Sequence, residues 1–399
     1  MKKVILIGML LIMLPACRNT APSDISEQIS QTSAAESSDT LSESVKIAAE
    51  TEPIIENTTA ETEFNIEKVE AVQQPLSEIK TEDIDLFSKN YNNGEPIFDD
   101  SGGYYYKKFE DKKSLYPILY YDNGDGNPIK TNLPESRCFF YDLVFHNDAL
   151  YGVLHQDLKE ERFFIMKYQN ESLEMIINDP IEHWCFAEEG IYYQIDNAIY
   201  LKNYDGINSE LIVEIPDELY TDSHNCEYLR GCRFVVYHGS IWYHHYSYFD
   251  KVDVPFWSYD IETKVFTQID TGIDQAKLEA VNNGFLYFSS TNGLWRLNTD
   301  TYCIEQVSER YCCSVNFFND NIIFTTEQTG KSEVYKINSD GITKMFDENN
   351  KEFGYDEPYY NRISTYKDRI FLNVTSGAYY SKIVEIDLDG KILKQISEY

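Results

Sequence analysis

The chain has 399 residues, 32 of them tyrosine and 22 phenylalanine, and a formal net charge of −33. Such acidity repels a duplex phosphate backbone and anionic headgroups alike, which excludes nucleic acid as a partner and a basic patch as the means of membrane attachment. The aromatic richness favours strands over helices.

Lys2 and Lys3 precede an apolar run over residues 4–14. A basic start, a short apolar run and small residues before a cut form the pattern of a secretory signal peptide. The run is too short to span a bilayer, which takes about 20 apolar residues. Leu14, Pro15, Ala16 and Cys17 resemble a lipobox, the motif at which bacterial lipoproteins are cleaved before a lipidated cysteine. Residues 1–16 are therefore read as a lipoprotein signal peptide and Cys17 as the lipidation site. The expected location is the outer face of the bacterial cell membrane, held there by lipid alone.

Residues 17–80 are read as a tether. The stretch after Cys17 is rich in Ser, Thr, Glu, Ala and Gln, and residues 18–80 carry 13 acidic against 4 basic side chains. It has too little apolar surface to offset chain entropy, so disorder is expected. Residues 81–94 lead in to a repeat domain over 95–399.

That domain repeats. Short apolar runs follow a turn at Gly103, Ala149, Gly190, Ser240, Gly284, Asn321 and Arg369, every 35 to 50 residues and about 44 on average. Each is followed by a second run that ends in a polar turn, as at 121–126, 203–206, 337–341 and 386–390. Asp-Gly between apolar runs signals a tight hairpin, because glycine accepts a positive φ. A third run follows each turn and another precedes each unit, giving four strands per repeat. Repeats near 40 residues made of four strands predict an all-β β-propeller, whose blades bury each other's faces. The count of seven blades leaves six or eight open, because the first blade begins indistinctly.

The lipobox, the Ser/Thr/Glu tether and repeats of Gly-x-Ile-Tyr-Tyr followed by Tyr-x-x-Asn-x-Asp-Gly resemble the propeller lipoproteins of unknown function in Gram-positive bacteria. Their domain is similar to the YWTD-type propeller of lipoprotein receptors. The resemblance implies the fold and the surface location and brings no activity with it. No copy here reads Tyr-Trp-Thr-Asp, so no receptor-type ligand contact carries over.

Candidate chemistry is sparse. Beyond Cys17 the cysteines number seven: Cys138, Cys185, Cys226, Cys232, Cys303, Cys312 and Cys313. Seven is odd, so at least one stays free or pairs between chains. Cys226 and Cys232 could close a small disulfide loop, and Cys303 could meet Cys312 or Cys313. Their spacings match no zinc site. Asn123, Asp125 and Gly126 fit part of a calcium loop, but Tyr121 stands where its first carboxylate belongs, so a hairpin turn is the better reading. The sequence from Ser289 to Trp295 resembles an Asp-box only in part and reads as a turn beside a packed tryptophan. His244 and His245 are adjacent on a strand, point to opposite faces and do not form a metal pair. No metal or cofactor is expected.

The fourth repeat holds the best binding candidates. His244, Tyr246, Tyr248, Phe249, Phe256 and Trp257 flank a stretch too long for strands, so residues 247–254 should project as a loop. Aromatics on such a loop stack on sugars or peptide side chains, and loops on a rigid scaffold commonly carry binding. The competing expectation places Trp242 and Trp257 in blade packing. The functional expectation is a non-catalytic binding or interaction module for a glycan, peptide or envelope protein. The alternative is a propeller-fold hydrolase or lyase acting on a polysaccharide.

Overall fold

The computed structural model describes residues 65–82, residue 92, and 95–398 except 109–117, 134–137, 157–161, 180, 220–232, 245–255, 274–275, 329–330, 356 and 377–379. Cys17, the signal peptide, Cys226, Cys232, Tyr246, Tyr248 and Phe249 lie outside the described residues.

Seven four-stranded antiparallel sheets follow one another along the chain, each with its strands in sequence order. They are blades I (97–130), II (138–177), III (183–214), IV (233–270), V (277–308), VI (314–346) and VII (359–398). The seven runs singled out in the sequence are the second strands of these blades, and the polar turns after them close the third strands. Apolar clusters join neighbouring blades, for example blades III, IV and V around Trp257, Phe266 and Phe288. The aromatics fill these wedges, with Tyr104, Tyr106, Tyr151, Tyr287 and Tyr360 fully buried.

The ring closes without a shared strand, since all four strands of blade VII come from residues 359–398. Side chains hold the seam to blade I. Phe98 stacks on Tyr366 with centroids 4.1 Å apart, and the Tyr366 hydroxyl donates to the Asp99 carbonyl at 2.9 Å.

Because each blade is an antiparallel meander, its connections alternate between two faces of the ring. The turn face carries the links between first and second and between third and fourth strands. The 1–2 turns there are tight. Asn147 and Asp148 have φ of 48° and 58°, and Asn319 and Asp320 have 48° and 57°. Two consecutive positive φ values define the hairpin turn whose twist matches that of the strands. The other face, the loop face, carries the 2–3 links and the links between blades.

Residues 65–80, expected to continue the tether, instead form a strap on the folded unit, which begins at Phe64. Ile66–Glu70 runs parallel to the outermost strand of blade IV, and Val72–Gln74 runs parallel to that of blade V. The Ala71 amide donates to the Asp270 carbonyl at 2.8 Å and the Val72 amide to the Tyr302 carbonyl at 3.2 Å, so one strap stitches both blades. Outer edge strands present unpaired backbone groups, and the strap satisfies two rows of them. Beyond it, Ile79 is buried in the wedge between blades V and VI with Tyr287, Leu294 and Val315.

The strap is locked by a buried ion pair. Arg296 is 0% exposed, and its Nε donates to Glu305 Oε2 at 2.9 Å. Its Nη2 donates to the Ser77 hydroxyl at 2.7 Å and the Ser77 carbonyl at 3.0 Å. Burial pushes the Glu305 carboxyl up. Hydrogen bonds from the Ser77 amide, the Arg296 guanidinium and the Ser77 hydroxyl outweigh that and hold it below its ordinary value.

The strap then crosses the turn face. Thr81 bonds Asp320 of blade VI, the Glu82 amide donates to Asn282 of blade V at 3.1 Å, and Tyr237 of blade IV donates to the Glu82 carboxylate at 2.8 Å. Asn92, 6% exposed, reaches the innermost strand of blade V at Val281.

Candidate functional site

The innermost strand of blade V, Lys277–Asn282, starts on the loop face and carries a bulge. Its pairing passes from Leu278 opposite Phe288 to Ala280 opposite Tyr287, leaving Glu279 as an extra residue. A bulge re-aims a side chain that regular pleating would commit to one wedge. The Glu279 carboxylate is buried, 8% exposed for the residue, and its Oε1 accepts from Lys277 Nζ at 2.8 Å and from the Ser289 hydroxyl at 2.7 Å.

Blades VI and VII complete the group. Cys312 and Cys313 directly precede the innermost strand of blade VI, and Tyr359 opens that of blade VII. The Tyr359 hydroxyl donates to Glu327 Oε2 at 2.9 Å and lies against the Cys313 thiol. All of these residues sit at the loop-face ends of their strands, so they gather where the ring's central channel opens. Cys313, Glu327 and Tyr359 are half-buried, while Cys312 is fully buried with its Sγ 3.3 Å from the Ser314 carbonyl.

The electrostatics fix the protonation of two members. Burial, followed by the nearby Glu279 and Glu327 carboxylates, pushes the Cys313 thiol up to about 12. Burial, then Cys313 and Glu327, pushes the Tyr359 phenol well above its usual range. At neutral pH both are uncharged. A thiol rather than a thiolate is a poor nucleophile. What the group offers is hydroxyl donors, one ammonium and two carboxylates at fixed positions. Among the described residues no set of three His, Cys, Asp or Glu side chains is arranged to hold a metal ion.

The sequence candidates fall elsewhere. Phe256 and Trp257 are 4% and 0% exposed. Trp257 stacks on Tyr243 at 4.7 Å and Phe256 meets Phe288 edge-on at 5.2 Å, which corrects their placement among ligand-binding residues. The physical cause is that the third strand of blade IV is covered on both faces by blade neighbours. His244 closes the second strand, opposite Arg233. His238 lies at the other end of that strand, on the turn face, stacked on Tyr237 at 4.1 Å. Cys303, Cys312 and Cys313 carry no disulfide, so the Cys303 pairings do not form. Asp122 Oδ1 accepts the Gly124 and Gly126 amides at 2.7 and 3.1 Å, as the hairpin reading expects.

No family model matches the chain, and no curated protein matches it. Solved structures do. A prolyl endopeptidase, one of two compared for inter-domain dynamics, superposes with a TM-score of 0.55 at 11% identity, covering 78% of this chain and 50% of its own. Apo prolyl oligopeptidase B from Galerina marginata gives a TM-score of 0.52 at 11% identity, with 78% and 52% covered. The chain thus spans about half the length of these enzymes. At such identity the likeness concerns the fold alone.

Proposed function

We propose that this chain is a lipid-anchored, cell-surface β-propeller that acts as a non-catalytic binding module, with its ligand seated at the loop-face mouth of blades V–VII. The observation that carries the reading is the protonation and bonding at that mouth. Cys313 is held as a thiol, Tyr359 as a phenol hydrogen-bonded to Glu327, and Glu279 is engaged by Lys277 and Ser289. Groups held this way donate and accept hydrogen bonds in a preformed geometry, which suits recognition better than nucleophilic attack. The Leu-Pro-Ala-Cys motif and the two leading lysines support export and attachment through Cys17.

Two experiments test the two halves. Growth with an alkyne fatty acid should label the protein and leave it in the membrane fraction, whereas Cys17→Ala should abolish labelling and release it. A glycan and peptide array probed with the full mature chain should give a hit that weakens at least tenfold with Tyr359→Phe. Turnover of an array member by the purified protein overturns the non-catalytic reading.

A further inference from the structure

The strap is held unevenly along its length. No residue from 65 to 78 is buried, and Ile79 is the first that is. Residues 65–74, the arm, meet the ring as strands. Their rungs run along blade IV from Ile66 opposite Phe266 to Glu70 opposite Asp270, and along blade V from Val72 opposite Cys303 to Gln74 opposite Glu305. Ile66 and Ala71 pack half-buried on the core of blades III to V, while Val72 is 58% exposed. Parallel ladders are slightly the weaker kind per residue, and a segment with few buried apolar contacts opens more readily than its surroundings.

The anchor begins at Ser77. Its amide and hydroxyl donate to Glu305, and its carbonyl and hydroxyl accept from Arg296. Ile79 fills the wedge between blades V and VI, and Thr81 and Asp320 exchange hydrogen bonds of 3.0 Å. Between arm and anchor stand Pro75 and Leu76, both exposed. Pro75 has no N–H with which to extend a ladder. The pairing therefore stops there, and the arm can swing about this joint while the anchor stays in place.

The edges beneath the arm do not require it. Among the described residues the other five blades end at their own fourth strand, and Ile129, Met175, Leu211, Ile342 and Leu393 are exposed on those strands. A bare outer strand is the ordinary state in this ring, and opening the arm returns blades IV and V to it. Such an edge is also a template for a strand of another chain. The one strand seen to fit these two edges is the arm itself, and a second copy of the chain carries the same strand.

We propose that the arm exchanges between two copies of this chain, each laying residues 65–74 on the outer edges of blades IV and V of the other while both anchors stay in place. Exchange remakes every rung of the closed monomer, so it needs no new complementary surface. The formal charge of −33 on each chain opposes the approach of two copies, so added salt should favour the dimer.

The test uses the native Cys303, which lies opposite Val72, so that Val72→Cys can trap either arrangement as a disulfide. The full mature chain with this change is prepared in natural and in heavy-nitrogen form, mixed in equal amounts under reducing conditions, oxidised, and read by mass spectrometry of the linked peptides. The expected result is mixed-isotope links that rise with protein concentration towards half of all 72–303 links, and further with salt. Links that stay within one isotope at every concentration overturn the proposal. A second measurement is sedimentation of the wild-type full mature chain, which should show a reversible dimer. The variant oxidised at high dilution, with its own arm locked down, should lose that dimer, and reduction should restore it. A wild type that stays monomeric up to millimolar concentration overturns the proposal, as does a dimer of equal affinity in the locked form.

Discussion

The turns that join third and fourth strands and the loop-face mouth use acidic side chains differently. In those turns they hold backbone amides of the turn itself. Asp122 holds the Gly124 and Gly126 amides, Asp387 holds the Asp389 and Lys391 amides, and Asp260 holds the Thr263 amide. At the loop-face mouth they bond other side chains, within a blade at Glu279 and between blades at Glu327 and Tyr359. The turn face is also where the strap is tied down, through Thr81, Glu82 and Asn92. The acidic residues of these turns thus serve the backbone, while those at the mouth meet other side chains.

The largest effect that would break this division lies beneath the strap. Replacing Arg296 with Met leaves Glu305 buried without its cation, a change that costs about 3–5 kcal/mol in comparable pairs. Urea unfolding of Arg296→Met should show it, and Arg296→Met with Glu305→Leu should recover most of it. Unaltered stability in the single variant would mean that the strap is not locked there.

On the turn face, Asp122→Ala removes the acceptor of two turn amides and of the Tyr104 hydroxyl, which bonds Asp122 Oδ2 at 3.0 Å. The expected loss is about 1–3 kcal/mol, the cost of leaving a buried donor unpaired. Millimolar calcium should leave the wild-type Tm unchanged, and a rise in Tm that Asp125→Ala abolishes would restore the calcium-loop reading.

The strap lock also carries a pH signature. Glu305 has its pKa lowered by folding, so its stabilisation is fully present above the ordinary glutamate value of about 4.3 and is lost as pH falls through the lower folded value. Wild-type stability should fall on acidification below about pH 4.3, and Glu305→Gln should flatten that part of the profile. Equal slopes for the two proteins would contradict it.

The smallest effect concerns the mouth. Because the Glu327 carboxylate helps to push the Cys313 thiol up, Glu327→Gln should speed iodoacetamide labelling of the Cys313 peptide at pH 8 a few-fold, read by mass spectrometry. Slower labelling would show that Glu327 does not face the thiol.

The blades were legible because their signals are local. Aromatic runs such as those at 190–193 and 284–287 and the turns after them recur at one period, and each needs only neighbours in sequence to form. The strap was not legible, because it carries no aromatic run to set it apart from the tether before it. Only Ile66, Val69 and Ile79 hint at burial, and the edges they meet belong to blades some 200 residues away. Trp257 misled for a related reason. Its aromatic neighbourhood looks like a binding loop, but the ring covers both faces of its strand. The mouth group joins residues 277, 313, 327 and 359 from three blades, so no spacing in the chain announces it.

A ligand at the mouth must sit on the loop face and leave the turn face untouched. Hydrogen–deuterium exchange of the full mature chain, with and without a bound array hit, reads that directly. Slowed exchange is expected at 277–280, 313–315 and 359–361, with the turns at 238–239, 283–284 and 319–320 unchanged. Protection confined to those turns would contradict it.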